Sequence, residues 1–183
     1  YEIENDIFIS DVQKNKDWLK FIDSGIKRYD YNGSSKYIHY GEWLAEPREI
    51  KYFKNPKIVL REVVNPSPFA TLVKEPAIIK NTNAVIIQKD KNYRLSYLLA
   101  ILNSKVFNYY IKKESPKSKN KLFPSITSRL LKEFPVAICN VEKQKSFEII
   151  TSYILALNKL GQKSQVNDFV PNSHIVQSFE EVI

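Results

Sequence analysis

Lys57-Ile58-Val59-Leu60-Arg61-Glu62-Val63-Val64 decides the fold class. It is rich in β-branched residues and bounded by Pro56 and Pro66, the composition of a pleated strand rather than a helix. Working outward, Ile7-Phe8-Ile9, Lys36-Tyr37-Ile38-His39-Tyr40, residues 70–73 and Ala84-Val85-Ile86-Ile87 give further strand signals. Prolines and asparagines between them mark turns. Trp18-Leu19-Lys20-Phe21-Ile22 reads as a buried segment ending at Gly25. Downstream the period changes. Over residues 96–112, Leu98, Leu102, Val106 and Tyr109 fall on one helical face, with Ser96 as N-cap. A short helix at 128–134 stops at Pro135, Val136-Ala137-Ile138 reads as a last short strand, and a long helix at 141–160 ends at Gly161. That helix carries Phe147, Ile150, Ile154 and Leu157 on one side. A polar linker at 162–172 leads into an amphipathic helix at 174–183. The expected architecture is α/β (α+β): a small mixed or antiparallel sheet with packed helices, residues 1–139, followed by a C-terminal helical segment, residues 140–183.

The 183 residues carry a formal net charge of +8, with 43% hydrophobic and 13% aromatic residues. That is enough apolar material for a real core, and a basic balance of this size favours an acidic partner, nucleic acid being the commonest. A lysine-rich proteome from an AT-rich genome explains the same composition. Cys139 is the single cysteine, which excludes an intramolecular disulfide, and it reads as a small buried hydrophobe. With His39 and His174 as the only histidines, a zinc site lacks ligands. No apolar run is long enough to span a bilayer, so the expectation is a cytoplasmic parent. The chain opens at Tyr1 rather than a methionine, as a piece of a longer protein would.

Several segments, in order, resemble the TaqI-like C-terminal specificity domain of type IIG restriction enzymes and adenine-specific DNA methyltransferases. Ile26-Lys27-Arg28-Tyr29 resembles its Asp-Ile-Lys-Arg-Tyr opening segment, with Gly25 in place of the aspartate. Pro56-Lys57-Ile58-Val59-Leu60-Arg61-Glu62 resembles its strand, and Tyr97-Leu98-Leu99-Ala100-Ile101-Leu102-Asn103-Ser104-Lys105 its helix. Leu122-Phe123-Pro124 with Leu131-Lys132-Glu133-Phe134-Pro135-Val136 resembles the closing element, and Ser178-Phe179-Glu180-Glu181-Val182-Ile183 the start of the last helix. The resemblance implies a target-recognition domain that follows a methyltransferase domain. It implies double-stranded DNA as partner, a role in restriction-modification or phage defence, and S-adenosylmethionine (with Mg if a nuclease is present) in the parent protein. With no glycine-rich loop and too few histidines and cysteines, no cofactor or metal is expected in this stretch itself.

Two motifs mimic catalytic ones. Asn65-Pro66-Ser67-Pro68-Phe69 is close to the Asn-Pro-Pro-aromatic motif that holds a flipped adenine. Ser67 shifts its aromatic out of register, and the four glycines form no cofactor loop, so a strand-to-loop turn is the better reading. Glu49-Ile50-Lys51 matches half of a magnesium-dependent nuclease motif but no Pro-Asp dipeptide supplies the second acid. No catalytic residue is assigned.

For DNA contact the candidates are the lysine-dense segment 112–121, with Lys112, Lys113, Lys117, Lys119 and Lys121, then Arg129, Lys27, Arg28 and Arg61. Lysines there can neutralise phosphates, whereas a bidentate arginine can discriminate guanine. The competing explanation for the lysines is a surface loop kept soluble by charge, and for Arg61 an ion pair with its neighbour Glu62. Asn103-Ser104 reads as structural, bonding neighbouring backbone. The alternative function is a protein-interaction or scaffolding module, resting on the helix with Phe147, Ile150, Ile154 and Leu157. An autonomous nuclease using Glu49 is a third.

Overall fold

The computed structural model describes residues 5–32, 36–115 and 124–163. In chain order the elements begin with α1 (Asn5–Phe8), β1 (Ile9–Ser10), β2 (Trp18–Ile22), β3 (Ile26–Lys27), β4 (Asp30–Tyr31), β5 (Tyr37–His39) and α2 (Lys51–Lys54). Then come β6 (Lys57–Arg61), β7 (Ala70–Val73), β8 (Ile78–Ile79) and β9 (Asn83–Ile87). The helices α3 (Leu95–Leu102), α4 (Lys105–Glu114), α5 (Ser128–Glu133) and α6 (Val141–Lys163) follow. This is the mixed α/β architecture that the period change from strands to helices demands.

Central to it is an antiparallel sheet in the order β7-β6-β9, with Leu60 opposite Ala70 and Ala84, and Lys57 opposite Val73 and Ile87. Ile58-Val59-Leu60 form an unbroken apolar run within β6 because both faces of the strand are covered. Alternation along the strand sends Ile58 and Leu60 into one core, with Leu99, Phe107, Ile111, Ile126, Leu130 and Ile154 from the helices. Val59 points the other way, into a second core with Phe21, Ile22, Ile38, Phe53 and Ile78. That second core is closed by a four-stranded sheet, β1-β5-β2-β8, in which β2 pairs antiparallel with β5 and parallel with β8.

The second core contains a wholly buried lysine. Lys57 donates from Nζ to the carbonyls of Phe53 (2.9 Å), Asn55 (3.3 Å) and Glu75 (2.9 Å), and so closes the C-terminal end of α2. Burial pushes its ammonium down to about 8, partly offset by the nearby Glu75 charge. Next to it, burial raises the Glu75 carboxyl, but hydrogen bonds from Tyr31 and Lys20 outweigh that and hold it down to about 2. On the outer sheet, His39 stacks on Trp18 with ring centroids 5.5 Å apart and packs against Trp43 at 4.3 Å.

Several sequence expectations are corrected. Residues 96–112 form two helices, because Asn103 turns its side chain across to Ala70 and Ser104 is extended, its Oγ accepting from the Phe107 amide at 3.2 Å. The break resets the phase of the apolar stripe. Phe107 and Ile111 are buried while Val106 and Tyr109 are each 68% exposed. Ser96 lies inside α3 rather than at its cap, and its carbonyl accepts from Thr151 Oγ1. α4 runs to Glu114, so Lys112 and Lys113 are helical rather than in a loop. Residues 5–8 form a helical turn, leaving only Ile9 and Ser10 to pair with β5. Val136-Ala137-Ile138 forms no strand. The Ala137 carbonyl is taken instead by the Tyr97 hydroxyl at 2.8 Å, and Cys139 is only half-buried. α6, capped by Asn140 Oδ1 on the Lys143 amide, runs through Gly161, since one glycine weakens a helix by about 1 kcal/mol without stopping it. The expected helix at 174–183 lies outside the described residues. α2, β8 and the β3–β4 hairpin were not anticipated.

Candidate nucleic-acid interface

The C-terminal end of β6 gathers segments far apart in sequence. Beyond Arg61 the strand continues as an irregular extension that pairs with the chain entering α5. The Ile126 amide donates to the Glu62 carbonyl (2.7 Å), the Val64 amide donates to the Pro124 carbonyl (2.9 Å), and Val63 bridges Ser125. Ser125 is in turn tied to Ser115, the residue that ends α4. Its amide donates to Ser115 Oγ at 3.2 Å, and Ser115 Oγ–H donates to its carbonyl at 3.3 Å. Both flanks of segment 116–123 are therefore pinned beside the end of β6. Lys117, Lys119 and Lys121 fall within that segment, outside the described residues.

The start of β7 is held at the same end by a second knot. Ala70 donates its amide to Asn103 Oδ1 and accepts from Asn103 Nδ2, both at 3.0 Å, and its carbonyl also accepts from the Tyr29 amide at 2.8 Å. Arg28 donates to the Asn103 carbonyl at 2.7 Å. The Ile26-Lys27-Arg28-Tyr29 segment is the β3–β4 hairpin, with Lys27 opposite Asp30 and the turn made by Arg28 and Tyr29. Tyr29 adopts φ 55° and is almost wholly buried. A left-handed tyrosine costs on the order of 1–3 kcal/mol, which the Ala70 bond and the core contacts offset. Asn103-Ser104 is thus structural as expected, but Asn103 bonds backbone 33 residues away rather than its own neighbours.

The described candidates are placed as follows. Lys27 is exposed on the hairpin, whereas Arg28 is turned inward and engaged by Asn103. Arg61 ends β6 half-buried, its guanidinium 5.8 Å from the centre of the Phe69 ring, and no ion pair to Glu62 forms. Lys112 and Lys113 are exposed on the last turn of α4. Arg129 is exposed on α5 and pairs with Glu133 one turn on, at 2.8 Å. An exposed pair of that kind contributes little to stability and leaves the guanidinium accessible. Sequence reasoning missed Lys80, exposed in the β8–β9 turn whose Thr82 carbonyl accepts from the Glu62 amide. The Lys80-Asn81-Thr82-Asn83 run between two apolar stretches was its signal. The segments that carry these residues are tied by main-chain and side-chain bonds to the β6 end or the start of β7, next to the Asn65–Phe69 connection.

The catalytic look-alikes sit in ordinary structure. Asn65 and Pro66 are exposed in the β6–β7 connection, and Glu49 pairs with Lys51 at the start of α2. No group of three or more His, Cys, Asp or Glu converges as a metal site among the described residues, and no described helix is long and apolar enough to cross a membrane.

A protein of Methanocaldococcus jannaschii, named as a type II restriction enzyme and methyltransferase, is 26% identical over 177 residues, a match covering 92% of this chain. The chain spans 15% of that relative's length. Residues 21–136 match the TaqI-like C-terminal specificity domain. That range takes in the β3–β4 hairpin, the β7-β6-β9 sheet, and α3 to α5 with the Asn103 and Ser115–Ser125 knots between them. The chain belongs to the TaqI-like C-terminal specificity domain family.

Proposed function

We propose that this chain reads the sequence of double-stranded DNA for an adenine-specific DNA methyltransferase of a restriction-modification or phage-defence system. In this reading the chain performs no catalysis. A methyltransferase domain elsewhere in a cytoplasmic parent binds S-adenosylmethionine and modifies the adenine, and a magnesium-dependent nuclease, where present, cuts. What supports the reading is that the segments bearing Arg61, Lys27, Lys112, Lys113 and Arg129 are bonded to one end of the β7-β6-β9 sheet in a member of a specificity-domain family. Lysines on these segments neutralise phosphates, while Arg61, steadied by Phe69, is the side chain best placed to address a base edge. Lys117, Lys119 and Lys121 belong to the same surface in this proposal, because both flanks of their segment are tied there. Arg28 serves the fold first.

Fluorescence anisotropy on duplex pools, at salt from about 50 to 200 mM, tests it. Binding is expected to weaken steeply, with log K falling by about 0.9 per neutralised phosphate for each decade of salt. Absence of binding at low salt, even when the domain is joined to its methyltransferase lobe, ends the proposal. A protein-interaction reading has one observation in its favour: Ile149, Tyr153 and Leu160 on α6 are more than half exposed. It predicts a stable complex with a polypeptide, unaffected by nuclease treatment, and no salt-linked DNA affinity.

A further inference from the structure

A cleft of about 570 Å³, the size of an ordinary small-ligand site, opens between β7, the start of α3 and α6. It lies toward the end of β7 where Val73 pairs with Lys57, not the end where Ala70 meets Asn103. Its lining is mostly polar and charged, with Lys74, Lys91, Arg94 and Lys159 as cations and Glu75 and Glu148 as carboxylates. Both carboxylates are already engaged. Glu75 accepts from the Tyr31 hydroxyl and from Lys20, which stands outside the lining, and Glu148 pairs with Arg94. A guanidinium has five N–H donors, so that pair leaves Arg94 others to give. Lys74, Lys91 and Lys159 are exposed and make no ion pair among the described residues. The cleft therefore holds a surplus of positive charge.

The start of α3 adds donors to the same space. Leu95 and Ser96, its first two residues, line the cleft. Arg94 stands at the N-cap without a capping side-chain bond, and the amides of Leu95, Ser96 and Tyr97 meet no acceptor among the described residues. Such amides, with the positive end of the helix dipole, favour an anion. Ser96 is a second and independent sign. It is only 9% exposed, its carbonyl accepts from Thr151, and its Oγ makes no hydrogen bond among the described residues. A hydroxyl that buried is ordinarily bonded, so this one fits a ligand oxygen. We propose that the cleft binds the phosphate group of a phosphate ester, held by Ser96 Oγ and the first amides of α3 and neutralised by Lys74, Lys91 and Lys159. The site does not rest on the DNA surface at the β6 end.

Isothermal titration of the full chain with pyrophosphate at moderate salt is the test, and a single saturable site is expected. Ser96→Ala and Lys91→Gln/Lys159→Gln should each weaken binding about tenfold, the factor that one hydrogen bond to a charged group carries. Lys112→Gln/Lys113→Gln should leave it unchanged. No saturable binding, or an equal loss in all three variants, overturns the proposal, whether or not duplex DNA binds at the β6 end. A short duplex added as competitor separates the two sources of a phosphate, and either result keeps the site. Pyrophosphate that stays bound assigns the cleft to a free phosphate ester, and pyrophosphate that is displaced assigns it to the DNA backbone.

Discussion

Lys57 and Arg61 stand four residues apart on β6, and the protein uses their charges in opposite ways. At the start of the strand the Lys57 ammonium is wholly buried under three main-chain carbonyls, with the Glu75 cluster beside it. At the end of the strand Arg61 is half-buried with its guanidinium over Phe69, at the end of the sheet to which the segments bearing Lys27, Lys112, Lys113 and Arg129 are tied. The difference is burial. A desolvated charge must be bonded inside the protein, so it serves folding. A solvated charge costs the fold little and stays available to a polyanion. The two ends therefore predict two separable phenotypes, one in stability and one in DNA affinity.

The largest expected effect is at the solvated end. Replacing Lys27, Arg61, Lys112 and Lys113 together by glutamine should weaken duplex binding by about 10²–10³-fold near 0.1 M salt and flatten the salt slope by up to about four. Unfolding should shift by no more than about 0.5 kcal/mol. Anisotropy titrations and urea melts of the same preparation check both halves. An equal loss of affinity from Lys16, Lys51, Lys54 and Lys74 changed together would erase the contrast between the ends.

The Asn103 knot shows that the solvated end has its own buried support. Asn103→Ala leaves the Ala70 amide without an acceptor in a buried site and should cost about 2–3 kcal/mol, read as a shift in the urea midpoint. A neutral result would mean that the two parts of the 95–114 helical pair do not depend on that bridge.

At the buried end, Lys57→Met keeps the apolar stem but leaves three carbonyls short of a donor, for an expected cost of about 1–3 kcal/mol. Its pH signature is more specific. The folded value of about 8 lies below the ordinary 10.5, so between those values the unfolded chain holds a proton that the folded one has released. Lys57 should therefore contribute stability that rises as pH climbs from about 8 to 10.5, and Lys57→Met should flatten that rise. The smallest effect belongs to Glu75. With its folded value near 2 and an ordinary value of 4.5, its contribution is present above pH 4.5 and lost as pH falls toward 2. Glu75→Gln should remove that part of the acid limb, measurable as a shallower decline of thermal midpoint below pH 4.5.

Much of the scaffold was legible. The β-branched run at 57–64 became the central strand, residues 70–73 became β7, and the α6 stripe was found with Ile154 in the core. The errors share one physical cause. Periodicity assumes an unbroken element, and Asn103 breaks one through a partner 33 residues earlier that no local window contains. The same limit hid Tyr97 taking the Ala137 carbonyl from an expected strand, and Lys57 closing α2. The candidate cations were legible as residue types. Their separation into engaged and available ones was not, because Arg28 and Lys27 are neighbours in sequence and differ only in what the fold places beside them.

The sequence by itself determined the central strand, β7 and the α6 stripe, the mixed α/β class, the basic balance and the family, because propensity, hydrophobic period and ordered motifs are written along the chain. Only the tertiary structure decided which motif residues hold the molecule together and which face outward. Lys57, Arg28, Tyr29 and Asn103 all lie in the motifs that carry the family likeness, and all four are drawn into buried or bonded positions. Arg61, on the same strand as Lys57, is left at the open end. Burial and hydrogen-bond partners belong to three-dimensional neighbourhoods, and those are set by strand register and helix docking rather than by the order of residues.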